Sequence, residues 1–432
     1  MNPLIILFTA LVLSSTSTDG DTLASAPEST VTAPVPPARS GHTTIYDPVR
    51  RRLIVFGGDG ASDVWALSLG QSPPRWTELA PTGIPPRANY GHTAIYDPKR
   101  HRMIVFGGVQ TDNELSNEVW ALSLSNLRWR KLNALGIPPA PREWHSAIYD
   151  PVRDRMIVHG GWTSPDGVLD DVWALDLSSG PTWSRLLASP SPPGHRYHSA
   201  LYDERRDRML VFSGSGRVGA PRVVWSLSLS TGQWTALGTT GCWPPGVPYG
   251  RPAFVDAAND RMIVDGGVDG GVWFLSLESL AWSRIVSFDA PIPRDGQTAT
   301  FDPVHRQMIV FGGYSTFGTA DGTDLADSWA FDVDARTWSE VAASGGSGGD
   351  AAVDDPHQTE LGPVPSVGDL VASRGYPFFG LDGRISTRLC IARGFVRSRS
   401  TTISPTSSGW SAQPCFAAEP LPNAVATLPG MR

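Results

Sequence analysis

The sequence of 432 residues predicts an all-β fold, a six-bladed β-propeller built of four-stranded blades. Three observations predict it. A repeat recurs six times between residues 39 and 342, each copy has four short apolar or alternating stretches separated by turn residues, and tryptophan occupies two fixed places in every copy. One four-stranded sheet cannot bury both of its faces, whereas six sheets packed side by side around an axis can.

The first predicted strand of each copy begins with a recurring octapeptide. It reads Gly-His-Thr-Thr-Ile-Tyr-Asp-Pro from Gly41 and recurs from Gly91, Trp144 and Tyr197, with degenerate copies at 250–257 and 296–303. Asp-Pro suits a tight turn, because the Asp side chain accepts a hydrogen bond from the backbone two residues on and Pro presets φ. The turn aspartates are Asp47, Asp97, Asp150, Asp203, Asp256 and Asp302.

The other three strands of each copy carry their own markers. The second is an apolar run that ends in small residues, and the third and fourth each contain a tryptophan. The apolar runs are 53–58, 103–108, 156–161, 209–214, 262–267 and 308–313. The third-strand residues are Trp65, Trp120, Trp173, Trp225, Trp273 and Trp329, and the fourth-strand residues are Trp76, Trp129, Trp183, Trp234, Trp282 and Trp338. These bulky side chains are expected to fill the space between blades.

The Gly-Gly pair that ends an apolar strand, the following Val-Trp or Ser-Trp and the second Trp resemble the Kelch repeat. The resemblance implies a propeller with four strands per blade. It departs from the family pattern at Ser213-Gly214 in blade 4, and at Arg251 and Gln297, where blades 5 and 6 lose a histidine. The six blades are predicted at residues 39–80, 87–133, 142–187, 196–238, 250–287 and 294–342.

How the ring closes is left open by the sequence. Each copy holds its four strands in order, so blade 6 can pack directly on blade 1. Alternatively, residues 28–38 or the C-terminal tail donate a strand.

The N-terminal residues have the pattern of a secretory signal peptide, predicted at 1–26. Residues 4–13 form an apolar run that only Thr9 interrupts, too short to span a bilayer, and Ala24-Ser25-Ala26 follows. No Lys or Arg precedes the run, and a disordered apolar N-terminus is the alternative. Residues 27–38 are predicted to be a linker. The protein is therefore expected to be secreted, periplasmic or on the cell surface.

Residues 343–432 are predicted to be a linker and a disordered tail. They contain no seventh copy, and they open with the flexible composition Gly345-Gly346-Ser347-Gly348-Gly349. Residues 362–370 resemble the opening of the small β-sandwich sorting domains at the C-terminus of some secreted bacterial proteins. A disrupted sorting domain is therefore the alternative.

Composition excludes several classes of function. A net charge of −7 argues against nucleic acid and anionic membranes as partners. No segment is long and apolar enough for a membrane helix, and three cysteines are too few for a disulfide scaffold. The sequence also lacks a nucleophile elbow, a phosphate-binding loop and a metalloprotease helix. We therefore predict a monomer with no cofactor and no catalytic residues.

Three groups of side chains invite a metal hypothesis. His42, His92, His145 and His198 share one position of the first strand, and we expect each to bond backbone groups of its own blade rather than a metal. Tyr197-His198 invites comparison with the copper site of galactose oxidase, but the remaining ligands of that site cannot be matched. The acidic clusters are interpreted as turn residues rather than calcium ligands. These are Asp166, Asp170 and Asp171, and Asp321, Asp324 and Asp327.

Loop lengths indicate where recognition occurs. The connections after the second and fourth strands share one face of the ring and vary in length, and variable loops on a rigid scaffold usually carry binding. Aromatic residues concentrate there and are the predicted ligand-binding set. They are Tyr90, Trp144, Trp162, Tyr197, Trp243, Tyr249, Tyr314 and Phe317.

The sequence therefore predicts a non-enzymatic binding propeller that recognises a protein or a glycan. Some of the loop aromatics are expected instead to plug the blade tops. The alternative function is a carbohydrate-active propeller enzyme that uses the same depression.

Overall fold

A computed structural model describes residues 34–187, 192–216, 223–244, 251–266, 271–285, 287, 289–316 and 322–342. The predicted signal peptide and the predicted tail lie outside these residues, as do the ligand candidates Tyr249 and Phe317. In the described part of the chain, no helix combines the length and the apolar character needed to cross a membrane.

Six antiparallel four-stranded sheets follow one another along the chain, which confirms the predicted six-bladed propeller. The strands of blades 1 to 3 are Thr43–Asp47, Arg52–Phe56, Val64–Ser68 and Arg75–Leu79; Thr93–Asp97, Arg102–Phe106, Val119–Ser123 and Arg128–Leu132; Ser146–Asp150, Arg155–His159, Val172–Asp176 and Thr182–Leu186. Those of blades 4 to 6 are Ser199–Asp203, Arg208–Phe212, Val224–Ser228 and Trp234–Leu237; Ala253–Asp256, Arg261–Asp265, Val272–Ser276 and Trp282–Ile285; Thr298–Asp302, Gln307–Phe311, Ser328–Asp332 and Thr337–Ala342. The first strands of neighbouring blades contact one another, so they line the axis.

One short helix and several two-stranded sheets lie in the connections between these strands. A 3-10 helix, Ala257–Asn259, forms the turn between the first two strands of blade 5. Four two-stranded sheets join the loops of the variable face. They pair Ala88–Tyr90 with Val109–Gln110, Trp162–Thr163 with Gly167–Val168, His195–Arg196 with Ser215–Gly216, and Tyr314–Ser315 with Thr323–Asp324.

The fourth-strand tryptophans pack each blade on the one before it. The Trp129 ring lies 4.9 Å from that of Phe56, and the Trp183 ring lies 5.0 Å from that of Phe106. These tryptophans are at most 6% exposed, so each seals an apolar core between two blades. The regular spacing of tryptophan in the sequence therefore reflects six equivalent blade interfaces.

The ring closes by side-chain packing of blade 1 on blade 6. The Trp76 ring lies 4.8 Å from that of Phe311, and its Nε1 donates to Ser328 Oγ at 3.2 Å. The hydroxyls of Thr44 and Thr298 are 2.6 Å apart. Among the described residues, every strand of these two sheets comes from its own repeat, so neither shares a strand across the junction.

The turns between first and second strands lie on one face of the ring, here called the turn face. Ion pairs connect neighbouring blades on this face. Arg100 pairs with Asp154 at 2.9 Å and Arg206 with Asp260 at 2.7 Å. Arg153 joins Asp207 in the same way. The predicted turn geometry is confirmed at three turn aspartates, each of which accepts a hydrogen bond from the backbone nitrogen two residues further along the chain. The donors are the nitrogens of Val49, Val152 and Val304.

Candidate functional site

The mouth of the central channel lies on the opposite face, here called the mouth face, where the residues just before each first strand surround the axis. Backbone hydrogen bonds link these residues from blade to blade. Trp144 N donates to Gly91 O at 2.9 Å and Tyr197 N donates to Trp144 O at 3.0 Å. Gly41 N donates to Gly296 O at 3.2 Å. The rim is therefore a fixed backbone scaffold.

The rim position requires a left-handed backbone. Its φ is +66° at Gly41, +69° at Gly91 and +65° at Gly296, where glycine adopts the conformation without a steric penalty. Trp144 has φ +53° and Tyr197 has φ +57° at the equivalent positions. A bulky residue in this region costs on the order of 1–3 kcal/mol, and such strain concentrates at functional sites. The two aromatic rings are therefore held at the mouth although the left-handed backbone of these residues is energetically unfavourable.

Three aromatic rings from blades 2, 3 and 4, here called the aromatic ladder, stand side by side at the mouth. The centroids of Trp144 and Tyr197 are 4.4 Å apart with a 30° interplanar angle. Those of Tyr90 and Trp144 are 6.5 Å apart with a 24° angle. All three side chains are partly exposed. The structure thus brings three predicted ligand residues into one surface.

Arg196 covers the tight end of the aromatic ladder. Its guanidinium carbon lies 5.4 Å from the ring centroid of Trp144 and 5.4 Å from that of Tyr197. This is the range of a cation–π contact. The ladder surface therefore already holds one organic cation of the chain itself.

Glu143 precedes Trp144 in the chain and has a buried side chain. Its backbone pairs with that of Trp162 in both directions, and the residue is 5% exposed. Within the described residues, its buried Oε2 has no hydrogen-bond partner. Burial raises the pKa of Glu143 to about 7, which the charge of Arg196 only partly opposes. No sequence motif marks this carboxyl beyond its place before Trp144.

The remaining predicted ligand residues have different environments. Trp243 packs against Phe212 at 5.4 Å and Trp282 at 5.3 Å, so it plugs the blade tops, as some loop aromatics were expected to do. Trp162 belongs to a two-stranded sheet beside Glu143 and is half-buried. Tyr314 is 39% exposed, and its ring lies against Gly322.

The repeated histidines correct one expectation. Each bonds the preceding blade rather than its own: the Nε2 atoms of His145 and His198 lie 2.8 Å from Thr93 Oγ1 and 2.7 Å from Ser146 Oγ. The own-blade prediction failed because the repeat period does not show which side chains meet across a blade interface. Burial lowers the pKa of His42 to about 3 and that of His92 to about 4, so both are neutral. Among the described residues, no three His, Cys, Asp or Glu side chains are grouped as metal ligands.

Buried arginines form a feature that sequence reasoning missed. Arg142 is 0% exposed, pairs with both oxygens of Asp171 and donates to the carbonyl of Gly160. Asp171 also accepts from Trp173 Nε1. Equivalent Arg-Asp-Trp sets occur in blades 1 and 6, and together they are Arg39, Asp63 and Trp65, and Arg294, Asp327 and Trp329. The sequence pattern that could have revealed these sets is an Arg two residues before the octapeptide together with an Asp two residues before the third-strand Trp.

These sets assign two aspartates of the acidic clusters, which the sequence analysis interpreted as turn residues rather than calcium ligands. Asp171 and Asp327 each bind an arginine fork, which holds the pKa of both carboxyl groups below the usual range although burial opposes this. Their role is to tie the loop that enters a blade to its third strand. Asp321 lies outside the described residues.

Comparison with known proteins matches the repeat region to one family. The family described as the KLHDC2/KLHL20/DRC7 Kelch-repeats domain matches residues 18–132, 61–267 and 207–348. Adagio-like protein 3 of Oryza sativa subsp. japonica is 30% identical over 241 residues, which are 52% of this chain and 37% of the relative. Adagio protein 3 of Arabidopsis thaliana is 33% identical over 179 residues, 40% of this chain and 28% of the relative. The chain thus spans less than two-fifths of the length of these curated relatives.

A solved structure shares the fold. The protein in "Structure of YjhT" has a TM-score of 0.55 and 15% sequence identity, covering 71% of this chain and 99% of the solved chain. At that identity the likeness concerns the fold alone.

Proposed function

Because the chain belongs to the KLHDC2/KLHL20/DRC7 Kelch-repeats domain family, we propose that it is a non-enzymatic binding propeller that recognises a partner protein through its mouth face. One observation carries the proposal. Trp144 and Tyr197 hold rings 4.4 Å apart at two positions where the backbone is left-handed. Rigid, partly exposed aromatic rings are the usual anchors of protein interfaces.

The surrounding scaffold supports this role. The rim is fixed by backbone hydrogen bonds, and the loops behind it are tied to their blades by the buried Arg142–Asp171 pair. A partner would therefore meet a surface that is ordered before binding, which lowers the entropic cost of association.

The test replaces both anchors by glycine, the residue that the rim carries at Gly41, Gly91 and Gly296. Partners come from an array of purified proteins and glycans, and their Kd values are measured for the parent and for the Trp144→Gly, Tyr197→Gly double variant. We expect at least tenfold weaker binding, about 1.4 kcal/mol, with a thermal transition close to that of the parent. The control Trp173→Ala should mainly lower the melting temperature.

Parent-like affinity in the folded double variant would place recognition on another surface. An array in which only glycans bind would instead support the carbohydrate reading of the mouth face.

We further propose that the protein is secreted. The apolar run 4–13 followed by Ala24-Ser25-Ala26 supports this. N-terminal sequencing of protein recovered from the medium of expressing cells should begin at Pro27. Protein retained in the cells with its first residues intact would contradict it.

A further inference from the structure

The outer edge of a blade is the free side of its fourth strand. In blades 2, 3 and 5 this edge is bridged by a residue of the connection that leaves the preceding blade. The bridging residues are Thr82, Leu135 and Thr240, which pair in parallel with Arg128, Thr182 and Ala281. The connections into blades 4 and 6 lie partly outside the described residues. Neighbouring blades are therefore joined at their outer rims as well as through their apolar cores.

Each bridge consists of two backbone hydrogen bonds with the same geometry. Thr82 N donates to Leu127 O at 2.8 Å, and Trp129 N donates to Thr82 O at 2.9 Å. The equivalent sets are Leu135 with Pro181 and Trp183, at 2.8 Å and 2.8 Å, and Thr240 with Leu280 and Trp282, at 2.8 Å and 2.9 Å. The nitrogen of the fourth-strand tryptophan and the carbonyl two residues before it are thus the groups that a bridge uses.

A glycine follows the bridging residue in all three connections. Gly83 has φ +87°, and Gly136 and Gly241 both have φ +80°. A Cβ atom on these glycines would lie 2.7, 2.5 and 2.7 Å from the carbonyl oxygen of the bridged tryptophan. Only glycine combines this backbone conformation with so close an approach. The bridge therefore has a sequence signature, a glycine directly after the residue that lies six positions beyond the fourth-strand tryptophan.

Blade 1 presents the same edge without a bridge. Trp76 lies opposite Leu67 in the sheet, in the register that places Trp129 opposite Leu122, so its nitrogen also faces outwards. Among the described residues, no bridge reaches this strand and no backbone group bonds Trp76 N or Pro74 O. A strand edge with a free donor and a free acceptor is a template for another segment of chain.

We propose that this edge binds the chain's own Ser344-Gly345, with Ser344 N donating to Pro74 O and Trp76 N donating to Ser344 O. Both residues lie outside the described part of the chain. Ser344 is six positions beyond Trp338, the fourth-strand tryptophan of blade 6, and Gly345 follows it, so the signature of the three observed bridges is complete. Blade 6 ends at Ala342 and packs on blade 1, which brings the chain to this edge.

The N-terminal end of the propeller supplies the rest of this connection but not its bridge. Val35–Pro37 matches Ile84–Pro86 of the connection into blade 2. Val35 packs on the apolar core between blades 6 and 1. Gly83 precedes Ile84, whereas Pro34 precedes Val35, and proline fixes φ near about −65° and cannot take the left-handed conformation. The connection into blade 1 is therefore divided between the two ends of the propeller, and the tail contributes its glycine.

Exchange of the Trp76 backbone amide with solvent tests the proposal. Amide hydrogen exchange is followed by NMR in the full chain carrying isotope-labelled tryptophan. The variants are Gly345→Val, which opposes the left-handed backbone, Ser344→Pro, which removes the donor to Pro74 O, and the matched control Gly346→Val. All three changes lie beyond the last strand of blade 6, so the cores between the blades stay intact.

In the parent, the Trp76 amide should exchange within about tenfold of the rate of Trp129, because a bridge would protect both amides. Gly345→Val and Ser344→Pro should each speed exchange at Trp76 at least about tenfold and leave Trp129 unchanged, whereas Gly346→Val should change either rate less than about twofold.

The proposal is overturned if the Trp76 amide of the parent exchanges as fast as an exposed amide, or if Gly345→Val and Gly346→Val have equal effects. Protection that survives Gly345→Val and Ser344→Pro would also overturn it and would assign the edge to another occupant. Protection that rises with protein concentration would identify that occupant as a second copy of the chain.

Discussion

Replacing Glu143 by glutamine should stabilise the protein above neutral pH and not below pH 5. The pKa of Glu143 is about 7 in the folded chain and near its ordinary 4.5 when unfolded. Between these values the folded state binds the extra proton, so the stability that this proton contributes below pH 4.5 is lost as the pH rises through 7. At about 1.4 kcal/mol per pKa unit, the advantage of the variant should reach roughly 1–3 kcal/mol at pH 8.

Other charged groups near Glu143 do not produce the same signal. Burial lowers the pKa of His145 well below its ordinary value and that of His92 to about 4, and both histidines are present in the parent and in the variant, so their effects cancel in the difference. Urea unfolding of the parent and of Glu143→Gln at pH 5, 6, 7 and 8 gives the difference in unfolding free energy directly. A difference that stays constant with pH, or that shrinks as the pH rises, would refute the reasoning.

Two further predictions concern the framework. Asp171→Ala leaves Arg142 buried and unpaired and should lower the free energy of unfolding by about 3–5 kcal/mol. Asp112→Asn breaks only an exposed pair with Arg87 and should lower it by less than about 1 kcal/mol. Chemical denaturation compares the two variants, and equal losses of stability would contradict a structural role for the buried pair. Trp76→Ala opens a cavity at the junction of blades 1 and 6 and should cost about 3–5 kcal/mol, and a parent-like midpoint would show that the junction does not limit stability.

The fold could be predicted because its physical cause is periodic. Six copies of the same apolar strand and the same two tryptophans give six equivalent interfaces, and each strand is short enough to be bounded by Gly, Pro or Asp. The side-chain hydrogen bonds between neighbouring blades were not predictable in the same way. The partner of His198, Ser146 of the preceding blade, lies 52 residues away, and only the packing angle of the blades brings the two together.

The candidate site was predictable in part. The change from glycine at 41 and 91 to Trp144 and Tyr197 is visible in the octapeptides, but its meaning depends on a left-handed backbone that the sequence does not display. Trp243 lies in an equally variable loop, but its side chain packs against Trp282 at a blade interface. Composition alone cannot separate these two cases, because both are single aromatic residues among turn formers.

The way in which the ring closes has a consequence for how it folds. Five of the six blade interfaces join consecutive repeats, as His145 and Thr93 do at a separation of 52 residues. The sixth joins Thr44 to Thr298, so one interface bears the entropy of closing almost the whole propeller. A circular permutant that joins the ends of blades 6 and 1 and opens another junction should move this slow, non-local step to the new junction. The position of the chain ends, rather than the strength of any blade, would then set the order of assembly.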